Sequence, residues 1–145
     1  VGSRFNDTLI GDHGINNISG GAGNDTLIGG LGNDILTGGT GADIFKWTAQ
    51  DINTASGAPF SDTITDFSRT EGDKLDLSDV LSGDTPSSDL NNYLTFTTTG
   101  SDVVVSVHAD GNSGGTADMT IVLEGQAGDL SALENYLLTQ NGVIH

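Results

Sequence analysis

The first 46 residues carry a hydrophobic and polar pattern with a period of nine. Five units follow one another without a gap: GSRFNDTLI (2–10), GDHGINNIS (11–19), GGAGNDTLI (20–28), GGLGNDILT (29–37) and GGTGADIFK (38–46). Position one is always Gly, and position six is Asp in four units and Asn in the other. Position eight is always a large apolar residue: Leu9, Ile18, Leu27, Leu36 and Phe45. Each unit therefore predicts a turn followed by a three-residue strand with one inward side chain.

The glycines and the period together predict how the units stack. Gly at positions one, two and four is expected to supply positive φ values, which aim the turn carbonyls inward. Two units make one coil, so turns two units apart should lie on the same side, joined by a parallel strand ladder. Stacking would bring the position-six carboxylates together, and these repel one another unless a cation lies between them. We therefore predict a coil that depends on metal.

After Lys46 the period stops. Residues 47–61 are interpreted as a loop-like connection, and DTITDFSRTEGDKLDLSDVL (62–81) as two short strands around a turn at Glu71 and Gly72. The remaining predicted elements are a hairpin of 93–98 and 103–107, a strand over 119–125 and a leucine-rich helix from about Leu130 to Leu138. We predict two parts: a repeat region (1–46) and a β-rich cap with a C-terminal helix (47–145).

Charge and composition narrow the partners. The 145 residues carry a net charge of −16, which argues against nucleic acid and anionic membranes. The acids are 17 Asp and only 3 Glu, and Asp suits turns and short-reach cation coordination. The chain has no Cys, which excludes disulfides and thiolate metal sites. Cations are thus the expected partner.

The sequence contains little that indicates another class of function. The three His form no recognisable catalytic arrangement, and no HExxH motif occurs, so we predict that the chain is not an enzyme. No apolar run is long enough for a membrane span, and no cleavable signal peptide is visible at the N-terminus. We expect no membrane insertion, and any export would use another signal.

Units three to five match the repeats-in-toxin (RTX) consensus, glycine-glycine-x-glycine-x-aspartate-x-apolar-x, at every defined position. Units one and two depart from it at Ser3, Phe5, Asp12 and Asn16. Residues 62–145 also resemble the region that follows the repeats in RTX proteases and in large RTX adhesins. The resemblance implies a mainly β fold, in which a parallel β-roll (an RTX β-solenoid) is followed by the β-rich cap. It also implies several bound Ca²⁺ ions and a C-terminal type I secretion signal.

The resemblance further implies where the ions lie. Each ion would take the carbonyls of positions two and four and the Asp of one turn, then the carbonyls of positions one and three and the Asp of the turn two units on. The first site would use Ser3, Phe5, Asp7, Gly20, Ala22 and Asp25. The second would use Asp12, Gly14, Asn16, Gly29, Leu31 and Asp34. The third would use Gly21, Gly23, Asp25, Gly38, Thr40 and Asp43. A fourth would join Gly39, Gly41 and Asp43 to Asp66 and Asp73 of the cap.

Oxygen donors of this kind suit calcium better than zinc or copper, which prefer His or Cys. A metal-free solvated loop is the alternative for the repeats, but the regular period disfavours it. For Asp66 and Asp73 a solvated hairpin remains the alternative. An EF-hand reading of 108–118 fails because His108 would stand at the first ligand position.

We therefore predict a non-catalytic, calcium-binding C-terminal module of a type I-secreted adhesin. It would fold on extracellular calcium, interact with the type I secretion machinery and be monomeric in isolation. We expect it to be secreted or located at the bacterial cell surface. Two alternatives stay open: the same module of a secreted protease or lipase, and an interaction domain that binds a ligand through residues 84–125.

Overall fold

The computed structural model describes residues 1–52, 59–81, 87–111, 113–138 and 142–144. The strands of the repeats are β1 (Thr8–Ile10), β2 (Asn17–Ala22), β3 (Thr26–Ile28), β4 (Ile35–Thr40) and β5 (Ile44–Lys46). After the repeats come β6 (Phe60–Ile64), β7 (Lys74–Asp76), β8 (Leu94–Thr99), β9 (Asp102–Val107), β10 (Met119–Leu123) and β11 (Val143–Ile144). The helix α1 spans Leu130–Leu138, and short 3₁₀ helices span Ser87–Asn92 and Ala127–Asp129.

The repeat strands alternate between two sheets. One sheet has the order β1-β3-β5-β7-β11 and the other β2-β4-β6-β10-β9-β8. In the repeats each strand pairs in parallel with the strand two units on, as in Leu9 with Leu27 and Ile18 with Leu36. The predicted parallel pairing of units two apart is therefore confirmed.

The predicted strand length is wrong for two of the units. Strands β2 and β4 have six residues each, whereas β1, β3 and β5 have three. The extra length arises because the start of the following glycine turn also pairs, with Gly21 opposite Gly39 and Ala22 opposite Thr40. The turns are thus part of the ladder.

Both sheets continue beyond Lys46. Strand β4 pairs with β6, with Leu36 opposite Ile64, and β5 pairs with β7, with Phe45 opposite Leu75. These inward residues belong to one buried cluster that runs from the repeats into the following strands. The division at residue 46 stays a prediction, since the hydrophobic core crosses it.

After the repeats, the predicted strands, hairpin and helix are present in the described residues. The loop-like connection predicted for 47–61 is wrong at its end, because β6 begins at Phe60, and residues 53–58 of it lie outside the described residues. Strands β8 and β9 form the expected antiparallel hairpin, and β10 joins it to β6. The helix α1 buries Leu133 and Leu137. Strand β11 was not predicted, because two residues carry no pattern; it extends the first sheet by pairing with β7. No helix in the described part of the chain has the length and apolarity needed to cross a membrane.

Candidate metal sites

The position-six aspartates of odd-numbered units stack in a ladder. The backbone N–H of Asp7 donates to Oδ1 of Asp25 at 2.8 Å, and that of Asp25 donates to Oδ1 of Asp43 at 2.8 Å. The same step is repeated after the repeats end, since Asp43 donates to Oδ1 of Asp73 at 2.9 Å. Asp73 therefore occupies the place of the next position-six aspartate.

A second ladder runs along the even-numbered units. Asn16 donates its N–H to Oδ1 of Asp34 at 2.8 Å, and Asp34 donates to Oδ1 of Asp62 at 2.8 Å. The other oxygen of Asp62 accepts the indole N–H of Trp47 at 2.6 Å. Asp62 was not among the predicted site residues. Its signal was the string Asp-Thr-Ile (62–64), which repeats the Asp-Thr-Leu of units one and three without their glycines.

Three ladder aspartates each keep one buried oxygen unused. The side chains of Asp25, Asp34 and Asp43 are at most 1% exposed. Among the described residues, their Oδ2 atoms have no hydrogen-bond partner. A buried carboxylate oxygen left in this state is costly, and a cation is the partner that offsets both its charge and its lone pairs.

The glycines of the consensus turns serve two different purposes. Positions two and four have the positive φ that was predicted, for example 111° at Gly21 and 117° at Gly23. The prediction of positive φ is wrong for position one. There glycine is needed for space, because a Cβ on Gly20 would collide with Oδ2 of Asp25 and with the carbonyl oxygen of Gly38.

Carbonyls of one turn face the turn two units on. The carbonyl oxygen of Gly21 lies against the Cα of Gly39, and that of Gly23 lies against the Cα of Gly41, where a Cβ would collide with it. These carbonyls belong to positions two and four. They are the donors that the earlier turn was expected to contribute.

Carbonyls of the later turn face back into the same gap. The carbonyl oxygen of Gly38 lies against Gly20, and that of Thr40 accepts the N–H of Gly23 at 2.9 Å. These belong to positions one and three. The structure thus brings all six residues of the third predicted site to a single gap: Gly21, Gly23, Asp25, Gly38, Thr40 and Asp43.

In the first predicted site, the carboxylate of Asp7 is already hydrogen-bonded within its own turn. Oδ2 of Asp7 accepts the N–H of Ser3 at 2.6 Å. Hydrogen bonds with the backbone and the side chain of Ser3 lower the pKa of Asp7. The N–H of Phe5 bonds to Oγ of Ser3, and the Ser3 carbonyl accepts the N–H of Ala22 at 3.1 Å. Of this site's two carboxylates, only that of Asp25 keeps an unused buried oxygen.

In the second predicted site, the side chain of Asn16 is likewise hydrogen-bonded within its own turn. Oδ1 of Asn16 accepts the N–H of Asp12 at 2.7 Å, and Oδ1 of Asp12 accepts the N–H of Gly14 at 2.8 Å. The hydrogen bond with the Asn16 side chain, followed by that with Gly14, lowers the pKa of Asp12. The later turn, which contains Gly29, Leu31 and Asp34, contributes one unused oxygen, on Asp34.

The cap residues predicted for the fourth site do meet the last repeat turn. The carboxylate of Asp66 accepts the N–H groups of Gly38 and Gly39 at 2.9 and 2.8 Å. Asp73 is 2% exposed and also accepts the N–H of Ser68. A solvated hairpin is therefore wrong for Asp73. Asp43 brings its unused oxygen to this junction, next to the turn that contains Gly39 and Gly41.

The ladders concentrate negative charge without a positive side chain. Burial raises the pKa of Asp34 and of Asp43, and it raises the pKa of Asp62 and of Asp73 to about 6. In the described residues the ion pairs are Lys46 with Asp76 and Asp79, and Arg69 with Asp129. None of these involves a ladder carboxylate, so the repulsion is left for a cation to relieve.

The donor set decides which cation fits. Each gap offers at most two repeat carboxylates, and the rest are backbone carbonyls. The described residues contain no group of three or more Asp, Glu, His or Cys side chains placed to hold a metal, so Asp43, Asp66 and Asp73 do not converge as a three-carboxylate site. An all-oxygen, irregular set of donors is the chemistry that calcium accepts.

Stacked glycine turns with buried aspartates define a class of calcium-binding repeat domain. A family model for the C-terminal domain of peptidase M10 serralysin matches residues 2–136, and the chain belongs to this family. The family is an RTX-type calcium-binding β-roll domain, so the RTX resemblance is confirmed.

Two solved structures are similar to this chain. One is the AlgE6R3 subunit of the Azotobacter vinelandii mannuronan C5-epimerase, with 28% identity and a TM-score of 0.58, covering 99% of this chain and 80% of that one. The other is the AlgE6R2 subunit, with 26% identity and a TM-score of 0.39, covering 98% and 89%. Comparison with curated proteins gives no match.

The family settles the coarse points of the sequence-based prediction. The chain matches the non-catalytic calcium-binding domain of serralysin rather than a catalytic one. Serralysin-type domains belong to secreted proteins.

Proposed function

We propose that this chain is a non-catalytic module of a secreted protein that folds when it meets extracellular calcium. One observation carries the proposal: Asp25, Asp34 and Asp43 are buried, and each keeps one oxygen without a partner in the described residues. The predicted sites supply carbonyls around the same gaps, and calcium would complete them.

The ion would act as a folding switch. Without it, the buried carboxylates of each ladder repel one another and favour the unfolded chain. Calcium binds the folded state and so shifts the equilibrium towards it by mass action. Extracellular modules bind calcium at about 0.1–1 mM, far above cytosolic levels, so the chain would stay unfolded until export.

The finer architecture follows from this switch. We propose that residues 1–46 form the coils of a parallel β-solenoid and that residues 47–145 cap it. The alternation of strands between two sheets supports the coil, and the pairing of β6 and β7 with repeat strands supports the capping role. The last part of the chain would carry a type I secretion signal, which suits a module that folds only outside the cell.

The adhesin context rests on the resemblance of residues 62–145 to RTX adhesins. The alternative, a module of a secreted hydrolase, is favoured by the family model, which describes the C-terminal domain of a peptidase. An interaction domain would require an exposed apolar patch in 84–125. In the described residues, the exposed large apolar side chains are Val1, Phe5, Ile10, Ile15 and Ile35, all outside that region.

Calcium titration of the chain tests the proposal. We expect circular dichroism to show a gain of β structure with calcium and a loss on chelation. The variant Asp25→Asn, Asp43→Asn should bind fewer ions by equilibrium dialysis. Glu124→Gln is the matched control, because it removes an exposed charge outside the ladders. Unchanged secondary structure after chelation would overturn the folding switch, and an unchanged ion count in the double variant would overturn the sites.

A further inference from the structure

The two ends of the stacked sheets differ in what covers them. At the later end, β6 and β7, which have no glycine turn, pair with β4 and β5 and place Ile64 opposite Leu36 and Leu75 opposite Phe45. All four side chains are fully buried. At the earlier end, β1 and β2 are the outermost strands of their sheets, and no described strand pairs with their outer edges. We call the outer side of the first coil (residues 1–19) the open end.

The open end leaves main-chain hydrogen-bonding groups directed away from the sheet. In later coils, the N–H at position seven donates to the position-six carbonyl of the coil before, from Thr26 to Asp7 at 2.9 Å and from Ile44 to Asp25 at 2.8 Å. Thr8 holds position seven in the first unit, and no described strand lies before it. Its N–H therefore points out of the open end. Unpaired groups along a sheet edge are a template for a further strand.

The column of inward side chains is also incompletely covered at the open end. Leu9 is only partly buried and Ile18 is 8% exposed, whereas Leu27 and Leu36, the next inward residues of the two sheets, are fully buried. A cavity of about 460 Å³ opens onto this column. Its apolar lining consists of Val1, Leu9, Ile10, Ile15 and Ile18. The cavity has room for a large apolar side chain from another polypeptide.

Exposed apolar side chains are concentrated in the first coil. Phe5, Ile10 and Ile15 are 66%, 70% and 78% exposed, and Val1 is also exposed. These are four of the five exposed large apolar side chains in the described part of the chain, and the fifth is Ile35. The end units of repeat domains normally have a polar outer face, which keeps the domain soluble. An apolar cluster at a sheet edge instead indicates an interface.

The turns of the open end are unsuited to a further calcium-binding coil. Oδ2 of Asp7 accepts the N–H of Ser3, and Oδ1 of Asn16 accepts that of Asp12. The position-six side chains, which would have to face such a coil, are thus bonded within their own turns. A strand without a glycine turn makes no such demand, and the pairing of β6 and β7 with repeat strands shows that these sheets accept one. The expected occupant is therefore a strand of that kind.

Charge narrows the choice of occupant. Asp12 lies on the lining of the cavity, and the chain has a net charge of −16. Both disfavour an acidic strand, and a second copy of this chain would meet the same repulsion. A strand that carries Lys or Arg is attracted instead.

We propose that the open end binds an extended, basic segment of a partner polypeptide, which pairs with β1 and inserts one large apolar side chain against Leu9 and Ile18. Main-chain hydrogen bonds to an edge strand give such binding its affinity, and a pocket for one side chain gives it specificity. The segment binds without adding a calcium ion. The inference goes beyond the proposed function, because it assigns a partner to a surface that faces away from the calcium sites.

A tethered strand tests the proposal without requiring high affinity. The probe is Lys-Val-Thr-Leu-Thr-Val-Lys, joined ahead of Val1 by a flexible Gly/Ser linker of about eight residues, which holds it at a millimolar effective concentration. In calcium, we expect hydrogen exchange at the Thr8 amide to be about tenfold slower than in the same chain carrying Lys-Val-Thr-Ser-Thr-Val-Lys. The host variant Ile10→Ser, Ile15→Ser should lose this protection. Ile35→Ser, which removes an exposed apolar side chain outside the first coil, is the matched control and should keep it.

The other outcomes overturn the proposal. If neither probe protects Thr8, the open end accepts no strand; if both protect it equally, the cavity receives no side chain. Dimers of the chain that form without a probe and disappear in Ile10→Ser, Ile15→Ser, measured by analytical ultracentrifugation, would assign the open end to a second copy. Should the double variant not fold in calcium, the comparison of the two probes on the unsubstituted chain decides.

Discussion

The two degenerate turns (units one and two) and the three consensus turns (units three to five) differ in the contacts of the position-six side-chain oxygen. In unit one, Asp7 accepts the N–H of Ser3, and in unit two, Asn16 accepts that of Asp12, so the position-six side chain bonds within its own turn. In units three to five, the equivalent oxygen is buried and without a partner in the described residues. Where the turn departs from the glycine pattern, the position-six side-chain oxygen is therefore hydrogen-bonded within the turn itself.

The backbone N–H at position four also has a different acceptor in the two kinds of turn. In the third turn, the N–H of Gly23 donates to the carbonyl of Thr40, in the turn two units on. In the first turn, the N–H of Phe5 bonds to Oγ of Ser3, two residues back. Side chains at position two can close a turn on itself, as Ser and Asp do in many turns, whereas glycine cannot. The consensus turns consequently stay open to their neighbours and to an ion.

The largest expected effect comes from Asp25→Asn compared with Asp7→Asn. Asp25 contributes to two predicted sites, and Asp7 to one in which it is already bonded. Loss of a site costs about 2.7 kcal/mol when calcium is 100-fold above its Kd. We expect Asp25→Asn to lower the unfolding free energy in calcium by about 5 kcal/mol and Asp7→Asn by less than about 1 kcal/mol, measured by urea titration.

In the presence of chelator, Asp25→Asn should stabilise the folded chain instead of destabilising it. Without calcium the substitution removes an unpaired buried charge, so the folded fraction should rise above that of the wild type. Equal losses for the two variants in calcium would mean that the two kinds of turn are equivalent.

The repeats were predictable because their period, their glycines and their inward residues agree with one another. The residues at the ends of the two aspartate ladders were less predictable from the sequence. Asp73 was found through resemblance to RTX proteases, but Asp62 is preceded by no glycine turn, and only the folded chain pairs it with Asp34. The role of Gly20 was also hidden, because steric exclusion by Asp25 and Gly38 depends on stacking that a single unit does not reveal.

A second, smaller effect is a pH dependence that only the ladders should show. Burial raises the pKa of Asp62 and of Asp73 from 3.8 to about 6. Their folded-state pKa values lie above the unfolded one, so the stabilisation is fully present below pH 3.8 and is lost as the pH rises through about 6. Each group contributes about 1–3 kcal/mol.

Acidification should therefore replace calcium in part. We expect the chelated chain to gain β structure by circular dichroism between pH 7 and pH 5, with less change in Asp62→Asn, Asp73→Asn, whose amides do not titrate. Asp129→Asn, which alters an exposed ion pair with Arg69, is the control. A loss of structure over this range would contradict the raised pKa values.

The smallest expected effect would convert a degenerate turn into a consensus one. Ser3→Gly, Phe5→Gly supplies both missing glycines of unit one, which removes the Oγ that holds the N–H of Phe5 and permits positive φ at both positions. Asp7 should then lose its bond within the turn and face the gap as Asp25 does. We expect calcium to bind the first site about tenfold more tightly, which corresponds to about 1.4 kcal/mol. Ser3→Ala is the matched control, because it removes the same oxygen without allowing positive φ. Calorimetric titration in which Ser3→Ala gains as much affinity as the double variant would show that the hydroxyl, and not the glycine conformation, sets the difference between the two kinds of turn.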